Sequence, residues 1–176
     1  LSPIDGSVKW SVQENMFGGN SGILFACNGD PIVRGKRLDK NTGQTIWFYD
    51  YIVPVGPNSF YAATSTTFYH YKGTINTPKT LFALDIETGQ FKYETADLPG
   101  DGDQEWPVVI GNDGTIYLHR DGGKLYAFED TGSEFRIKWE YNPTANEMSG
   151  YFGCAANGNL YVIDEDTVKL LSVADG

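Results

Sequence analysis

The densest group of side chains that could bind a ligand is an acidic stretch at residues 97–105. It brings together Asp97, Asp101, Asp103 and Glu105, and oxygen ligands at alternating positions are what Ca²⁺ prefers. The ligand spacing of an EF-hand loop is absent, however. A solvated acidic loop is therefore the competing interpretation.

The two histidines, His70 and His119, belong to no catalytic or metal-binding motif. His70 lies in the aromatic run 68–71, whose rings could stack on a sugar or a peptide, although such rings in a strand more often form core pairs. No nucleophile elbow, zinc-protease motif or phosphate loop occurs, and no helix follows the glycine-rich residues 18–22. The sequence therefore shows no recognisable reaction centre.

The composition is that of an acidic protein with many aromatic residues. The chain has 176 residues, a net charge of −10 and 14% aromatic residues. This charge disfavours nucleic acids and anionic membranes as partners, and no apolar run is long enough for a membrane span. Residue 1 is Leu rather than Met, from which we expect a processed product or a piece of a longer chain.

A repeated turn organises the chain. In residues 81–93 two alternating apolar segments flank the turn Glu87-Thr88-Gly89, and Asp39-Lys40-Asn41-Thr42-Gly43 repeats this pattern before Trp47. Equivalent glycines lie at positions 6, 43, 89, 132 and 176. A period of roughly 40 to 50 residues in a strand-rich chain is typical of β-propeller blades with four antiparallel strands each.

The strands of each blade follow from the turns between them. In the third interval we expect strands at 105–111, 115–120, 124–128 and 134–141, and in the last interval at 151–156, 160–163 and 168–173. In the first interval we expect strands at 23–27, 31–34, 37–39 and 45–49. Residues 60–70 of the second interval should contain two strands, but no sharp turn signal separates them.

The repeated motif resembles the PQQ-enzyme repeat of quinoprotein-like β-propellers, whose form is A-x-D-x-x-T-G-x-x-x-W. Ala83, Asp85, Thr88 and Gly89 match this form, with Tyr93 in place of the Trp. The resemblance covers the whole chain and implies that the aromatic residue of one blade packs near the motif of the next. We therefore expect four rings to be buried between sheets: those of Trp10, Trp47, Tyr93 and Trp139.

Propellers of this repeat type usually have eight blades, so the resemblance implies that residues 1–176 form part of a larger ring, with incomplete blades at both ends. A closed four-bladed ring, in which residues 7–12 complete the last blade, is the alternative. We expect the half-propeller, and so no pairing between residues 7–12 and 168–173 of one chain. The apolar outer blade faces should then meet missing blades or another polypeptide.

Long irregular segments should collect on one face of the propeller, which is the default location for binding. We expect a partner-binding loop face that includes Phe17, Asn20, Tyr69, His70, Tyr71, Asp103, Glu105, Trp106, Arg120, Met148 and Tyr151.

Two functions from different classes remain. The favoured one is a non-enzymatic interaction module that binds protein, without a cofactor or metal; the resemblance implies a location outside the cytoplasm. The alternative is part of a PQQ- and Ca²⁺-dependent quinoprotein dehydrogenase, or a glycan-binding propeller. Enzymes of that family use adjacent cysteines beside the cofactor, whereas Cys27 and Cys154 are not adjacent and are expected to be buried free thiols.

Overall fold

The computed structural model describes residues 5–13, 23–33, 35–49, 61–72, 78–100, 107–120, 122–144, 148–154 and 158–174. These residues form fifteen β-strands in four antiparallel sheets. None of them forms a helix, and so no helix among them could cross a membrane.

Each sheet is a simple up-and-down meander, here called a blade. Blade 1 contains β1 (Leu24–Phe25), β2 (Pro31–Val33), β3 (Lys36–Leu38) and β4 (Thr45–Phe48). Blade 2 contains β5 (Tyr61–Ala63), β6 (Thr67–Lys72), β7 (Thr80–Asp85) and β8 (Phe91–Glu94). Blade 3 contains β9 (Val108–Ile110), β10 (Ile116–His119), β11 (Leu125–Asp130) and β12 (Phe135–Tyr141). Blade 4 contains β13 (Met148–Cys154), β14 (Leu160–Asp164) and β15 (Thr167–Leu171).

The blades follow one another as in a propeller. The first strands contact each other in series, with β1 against β5, β5 against β9 and β9 against β13. The apolar core divides into three clusters, one between each pair of consecutive blades. The expected all-β propeller fold with four-stranded antiparallel blades is confirmed.

The turn inside blade 2 that lacked a sequence signal is made by Thr64. Its hydroxyl oxygen accepts hydrogen bonds from the amides of Thr66, at 3.4 Å, and Thr67, at 3.1 Å. The Thr64 amide donates to the Thr67 carbonyl at 2.9 Å and closes the turn. A threonine side chain thus replaces the Asn-Gly or Asp-Gly signal of the other blades.

The tryptophans join consecutive blades. Trp47 Nε1 in blade 1 donates to the Ile86 carbonyl of blade 2 at 2.9 Å, and Trp139 Nε1 in blade 3 donates to the Val173 carbonyl at 3.1 Å. Both rings are buried, as expected. Trp10 is only half-buried, because the described part of the chain places no sheet on its other side.

Residues 7–12 and 168–173, which the structure describes, do not pair with each other. Residues 5–13 form no strand, and in the described part of the chain β15 pairs with β14 alone. This agrees with the expected open half-propeller rather than a closed four-bladed ring.

Candidate functional site

Four of the expected loop-face residues are inside the molecule. Tyr69, His70, Tyr71 and Arg120 are only 1–3% exposed. Tyr69, His70 and Tyr71 belong to β6, and Arg120 directly follows β10; both strands are covered on each face by neighbouring blades. The burial contradicts their expected exposure, and these side chains are not accessible to a partner.

His70 is a packing residue in this structure. Its ring lies 5.4 Å from that of Tyr61, 6.3 Å from that of Phe68 and 5.5 Å from that of Phe82, measured between ring centroids. Burial lowers the pKa of His70 to about 3, because the imidazolium ion would lose its hydration. The ring is therefore neutral at physiological pH.

The side chains of the other expected site residues are not described by the structure, and Cys27, expected to be a buried thiol, is a free thiol that is exposed. Phe17, Asn20, Asp103, Glu105 and Trp106 lie outside the described residues. Met148 and Tyr151 belong to β13, and the structure does not describe their side chains. Within the described residues, no group of three or more His, Cys, Asp or Glu side chains could hold a metal ion.

A buried arginine forms the first of three polar clusters between blades. Arg37 occupies the Ala position of the repeat motif and is 2% exposed. It donates to Asp30 Oδ2 from Nη2 at 3.0 Å and from Nε at 3.1 Å. Its Nη1 reaches into blade 2, to the Ile86 carbonyl at 2.7 Å and to Glu87 Oε2 at 2.9 Å. The cluster therefore joins blade 1 to blade 2.

A carboxylate with two tyrosines forms the second cluster. Tyr69 donates its hydroxyl to Asp130 Oδ2 at 2.5 Å, and the Tyr93 hydroxyl donates to Asp130 Oδ1. Burial favours the protonated form of Asp130, but the tyrosine hydroxyls and the Gly132 amide outweigh burial and lower the pKa of Asp130. Burial, reinforced by this carboxylate, raises the pKa of both tyrosines. The cluster joins blade 2 to blade 3.

A fully buried aspartate forms the third cluster. Asp164 Oδ2 accepts hydrogen bonds from the Tyr141 hydroxyl at 2.6 Å, Thr144 Oγ1 at 3.0 Å and Lys169 Nζ at 2.5 Å. Burial would raise the pKa of Asp164, but these donors hold it well below its usual range. The cluster joins blade 3 to blade 4. Sequence reasoning missed all three clusters, although Arg37 in the Ala position was a visible departure from the motif.

An open groove lies between the outer parts of blades 2 and 3. It has a volume of 290 Å³, and the buried rings of Tyr126 and Phe128 form part of its lining. Ile137 of β12 also lines the groove and is half exposed. An ion pair between Lys124 and Glu140 lies at the same groove.

The opposite wall of the groove is residues 95–99, which follow β8. This wall is held in place, because the Leu98 amide donates to the Lys79 carbonyl at 2.9 Å and Asp97 Oδ1 accepts from the Lys79 amide at 2.7 Å. The acidic residue Asp97, expected as a possible Ca²⁺ ligand, thus has a hydrogen bond to the backbone. The groove combines a preformed apolar surface with a few charged groups, as binding pockets commonly do.

Comparisons with known proteins support the fold. No protein-family model and no curated protein matches the chain. The structure is similar to that of BamB from Moraxella catarrhalis, with a TM-score of 0.52 and 17% identity, over 86% of this chain and 51% of that chain. It is also similar to the C-terminal WD40 domain of Sif2, with a TM-score of 0.54 and 11% identity, over 89% of this chain and 44% of that chain.

At these identities the similarity shows the fold alone, which is a β-propeller. The chain spans about half the length of each of these two structures. The described blades therefore correspond to part of a propeller.

Proposed function

We propose that the chain is a non-enzymatic interaction module that binds a protein partner in the groove between blades 2 and 3. The observation that carries the proposal is the structural role of the buried polar groups, which hold the blades together. Arg37, Asp130 and Asp164 form contacts that join one blade to the next, and Asp30 holds Arg37 from within blade 1. These contacts stabilise the packing of the blades into a rigid scaffold. The groove is a preformed concave surface on this scaffold.

The groove suits an apolar peptide segment. Ile137, half exposed at 50%, is an apolar side chain that a bound chain can cover further, and the buried rings of Tyr126 and Phe128 also line the groove. Lys124 and Glu140 supply polar groups that would fix the orientation of a ligand. Similarity to the propellers of BamB and of the WD40 domain of Sif2 supports a propeller scaffold for this module.

Peptide display tests the groove. Peptides selected from a random library on the wild-type chain should lose binding to an Ile137→Asp variant. They should keep binding to Phe91→Asp, because Phe91 is exposed to a similar degree, 47%, on blade 2 outside the groove. Circular dichroism would verify that both variants are folded. Selected peptides that bind both variants equally would contradict the groove as the binding site.

Reconstitution tests the enzymatic alternative. We expect no change in the ultraviolet-visible spectrum of PQQ when the chain and Ca²⁺ are added, and no dye-linked oxidation of alcohols or sugars. Detecting such an oxidation would contradict the proposed interaction module and favour a quinoprotein dehydrogenase.

The proposal has two broader parts. The four blades form half of an eight-bladed propeller, which the coverage of about half of each similar structure supports.

The protein acts outside the cytoplasm. This location rests on the resemblance of its repeats to the PQQ-enzyme repeat. Cell fractionation that recovers the protein only from the cytosol would contradict this location.

A further inference from the structure

The wall of the groove, residues 95–99, is held by blade 3 as well as by blade 2. Arg120, which directly follows β10, donates from Nη2 to the Gly100 carbonyl at 2.6 Å, immediately after the wall. A Cβ atom on Gly123 would lie only 2.5 Å from the Pro99 carbonyl oxygen. The wall therefore lies directly on the turn between β10 and β11, in addition to its hydrogen bonds with Lys79 of blade 2.

This close approach requires a glycine at position 123. The φ angle of Gly123 is outside the left-handed region, so its backbone conformation alone would tolerate a side chain. The obstacle is the Pro99 carbonyl oxygen, which belongs to the backbone and cannot rotate away as a flexible side chain could. The turn itself is closed, since the Gly123 amide donates to the Arg120 carbonyl at 2.8 Å and the Arg120 amide donates to the Lys124 carbonyl at 2.9 Å. A methyl group at position 123 must therefore displace the wall.

Arg120 reaches the groove only through the backbone of this wall. It is 2% exposed, so a partner in the groove cannot touch its guanidinium group. A hydrogen bond from a charged donor such as this one is stronger than a bond between neutral groups. Arg120 thus acts on the groove indirectly, by holding Gly100 at the end of the wall.

The end of the second strand has the same role in blade 4. Asp164, the last residue of β14, accepts a hydrogen bond from the Thr144 amide at 3.1 Å. Thr144 lies in the connection from β12 to β13, just as Gly100 lies in the connection from β8 to β9. In both blades a charged side chain at the end of the second strand holds the connection that arrives from the preceding blade. The connection held by Arg120 is the one that lines the groove.

We infer that Arg120 and Gly123 are positioning residues of the groove, which fix residues 95–100 in place opposite Ile137 and thereby set the width of the groove. The inference rests on the proposed function, because it gives these two residues a role in binding a partner that neither of them touches. A wall that is already in place costs a partner no free energy of ordering, so a displaced or loosened wall weakens binding.

Peptide affinity tests the inference on the full chain. The probes are peptides that bind the wild-type chain and lose binding to Ile137→Asp, measured by surface plasmon resonance. Gly123→Ala should weaken their binding by about tenfold or more, because the methyl group displaces the wall. The matched control is Gly153→Ala in β13, where φ is again outside the left-handed region and the Cβ position is open; it should bind the peptides as the wild type does. Equal affinities of Gly123→Ala and the wild type would overturn the inference.

Hydrogen exchange tests the position of the wall without a partner. The Leu98 amide, which donates to the Lys79 carbonyl, should exchange about tenfold faster or more in Arg120→Met, because this variant keeps an apolar side chain but loses the charged donor. The amides of β7 in the core of blade 2 should keep their exchange rates. Unchanged exchange at Leu98, or an equal acceleration throughout β7, would overturn the positioning role.

The two tests also separate this inference from the proposed function. Selected peptides that bind Ile137→Asp as well as the wild type would contradict the groove as a binding site. An unchanged Leu98 exchange rate, with the selectivity against Ile137→Asp retained, would contradict only the role of Arg120 and Gly123.

Discussion

The hydroxyl of Tyr93 donates a hydrogen bond to the carboxylate of Asp130 in the next blade. Tyr93 occupies the Trp position of the repeat motif. Asp130 occupies the position that is equivalent to Lys40 in blade 1 and to Ile86 in blade 2, whose backbone carbonyls accept hydrogen bonds from the indoles of Trp10 and Trp47. A tyrosine hydroxyl and a carboxylate thus replace an indole N–H and a backbone carbonyl at the same joint.

The first prediction concerns this joint. Tyr93→Phe keeps the ring between blades but removes a hydrogen bond to a charged acceptor, and should lower the free energy of unfolding by about 1.5–3 kcal/mol. Tyr69→Phe should have a similar effect through the other oxygen of Asp130. In a double-mutant cycle measured by urea denaturation, Tyr93→Phe should cost much less when Asp130 is already Ala. An unchanged cost of Tyr93→Phe in the Asp130→Ala background would show that the hydroxyl does not act through this carboxylate.

The second prediction compares two turn glycines. Gly89 has φ of 71°, and a Cβ there would lie 2.7 Å from Trp47; Gly132 has φ of 88° and open space around its Cβ position. Gly132→Ala should cost about 1–2 kcal/mol from backbone strain alone. Gly89→Ala should cost about 1–3 kcal/mol more, because the methyl group collides with the indole. Equal losses in thermal denaturation would mean that Trp47 is not held against the turn.

The third prediction concerns the buried indole. Trp47→Ala should lower the free energy of unfolding by roughly 3–5 kcal/mol, because it removes a large buried ring and leaves a cavity between blades 1 and 2. Phe91→Ala is the control, since its ring is 47% exposed and should contribute less than about 1 kcal/mol. Similar losses in the two variants, measured by chemical denaturation, would argue against burial of Trp47 between the blades.

The fourth prediction concerns pH. Since burial lowers the pKa of His70 to about 3, the unfolded chain binds a proton below pH of about 6.5 that the folded chain does not. Stability should therefore fall as the pH decreases from about 6.5 toward 3, with a limiting slope of about 1.4 kcal/mol per pH unit. A His70→Phe variant should have a flatter profile between about pH 5.5 and 7, where carboxylates contribute little. Identical profiles in urea titrations would show that His70 is not a buried neutral imidazole.

The strands and the aromatic contacts between blades could be predicted because they depend on local sequence patterns that recur with the repeat. Asn28-Gly29 and Asp113-Gly114 signal tight turns, and Asp85 with Thr88 forms a closed turn through its own hydrogen bonds at 2.8 and 2.9 Å. Each signal lies within a few residues of sequence and needs no knowledge of distant neighbours. The turn at Thr64 was not predicted, because a threonine hydroxyl is a weaker signal than a glycine.

The candidate site was predictable only in part, because accessibility depends on packing between blades. The sequence indicates an aromatic run that could face a ligand at Tyr69, His70 and Tyr71. In the structure, the neighbouring blades cover both faces of β6. The groove beside Ile137 has no sequence signal, since its walls come from β11, β12 and residues 95–99 of different blades.

The repeat, the strand order within each blade and the positions of the aromatic contacts between blades follow from the amino-acid sequence, because turn geometry and strand alternation are local properties of the chain. The polar groups that meet across the blades are instead a consequence of tertiary packing. The pairing of Arg37 with Glu87, and of Tyr93 with Asp130, depends on how one twisted sheet lies against the next. The tertiary structure also left Leu170 exposed and Trp10 half-buried, because burial is a property of neighbouring blades and not of either residue alone.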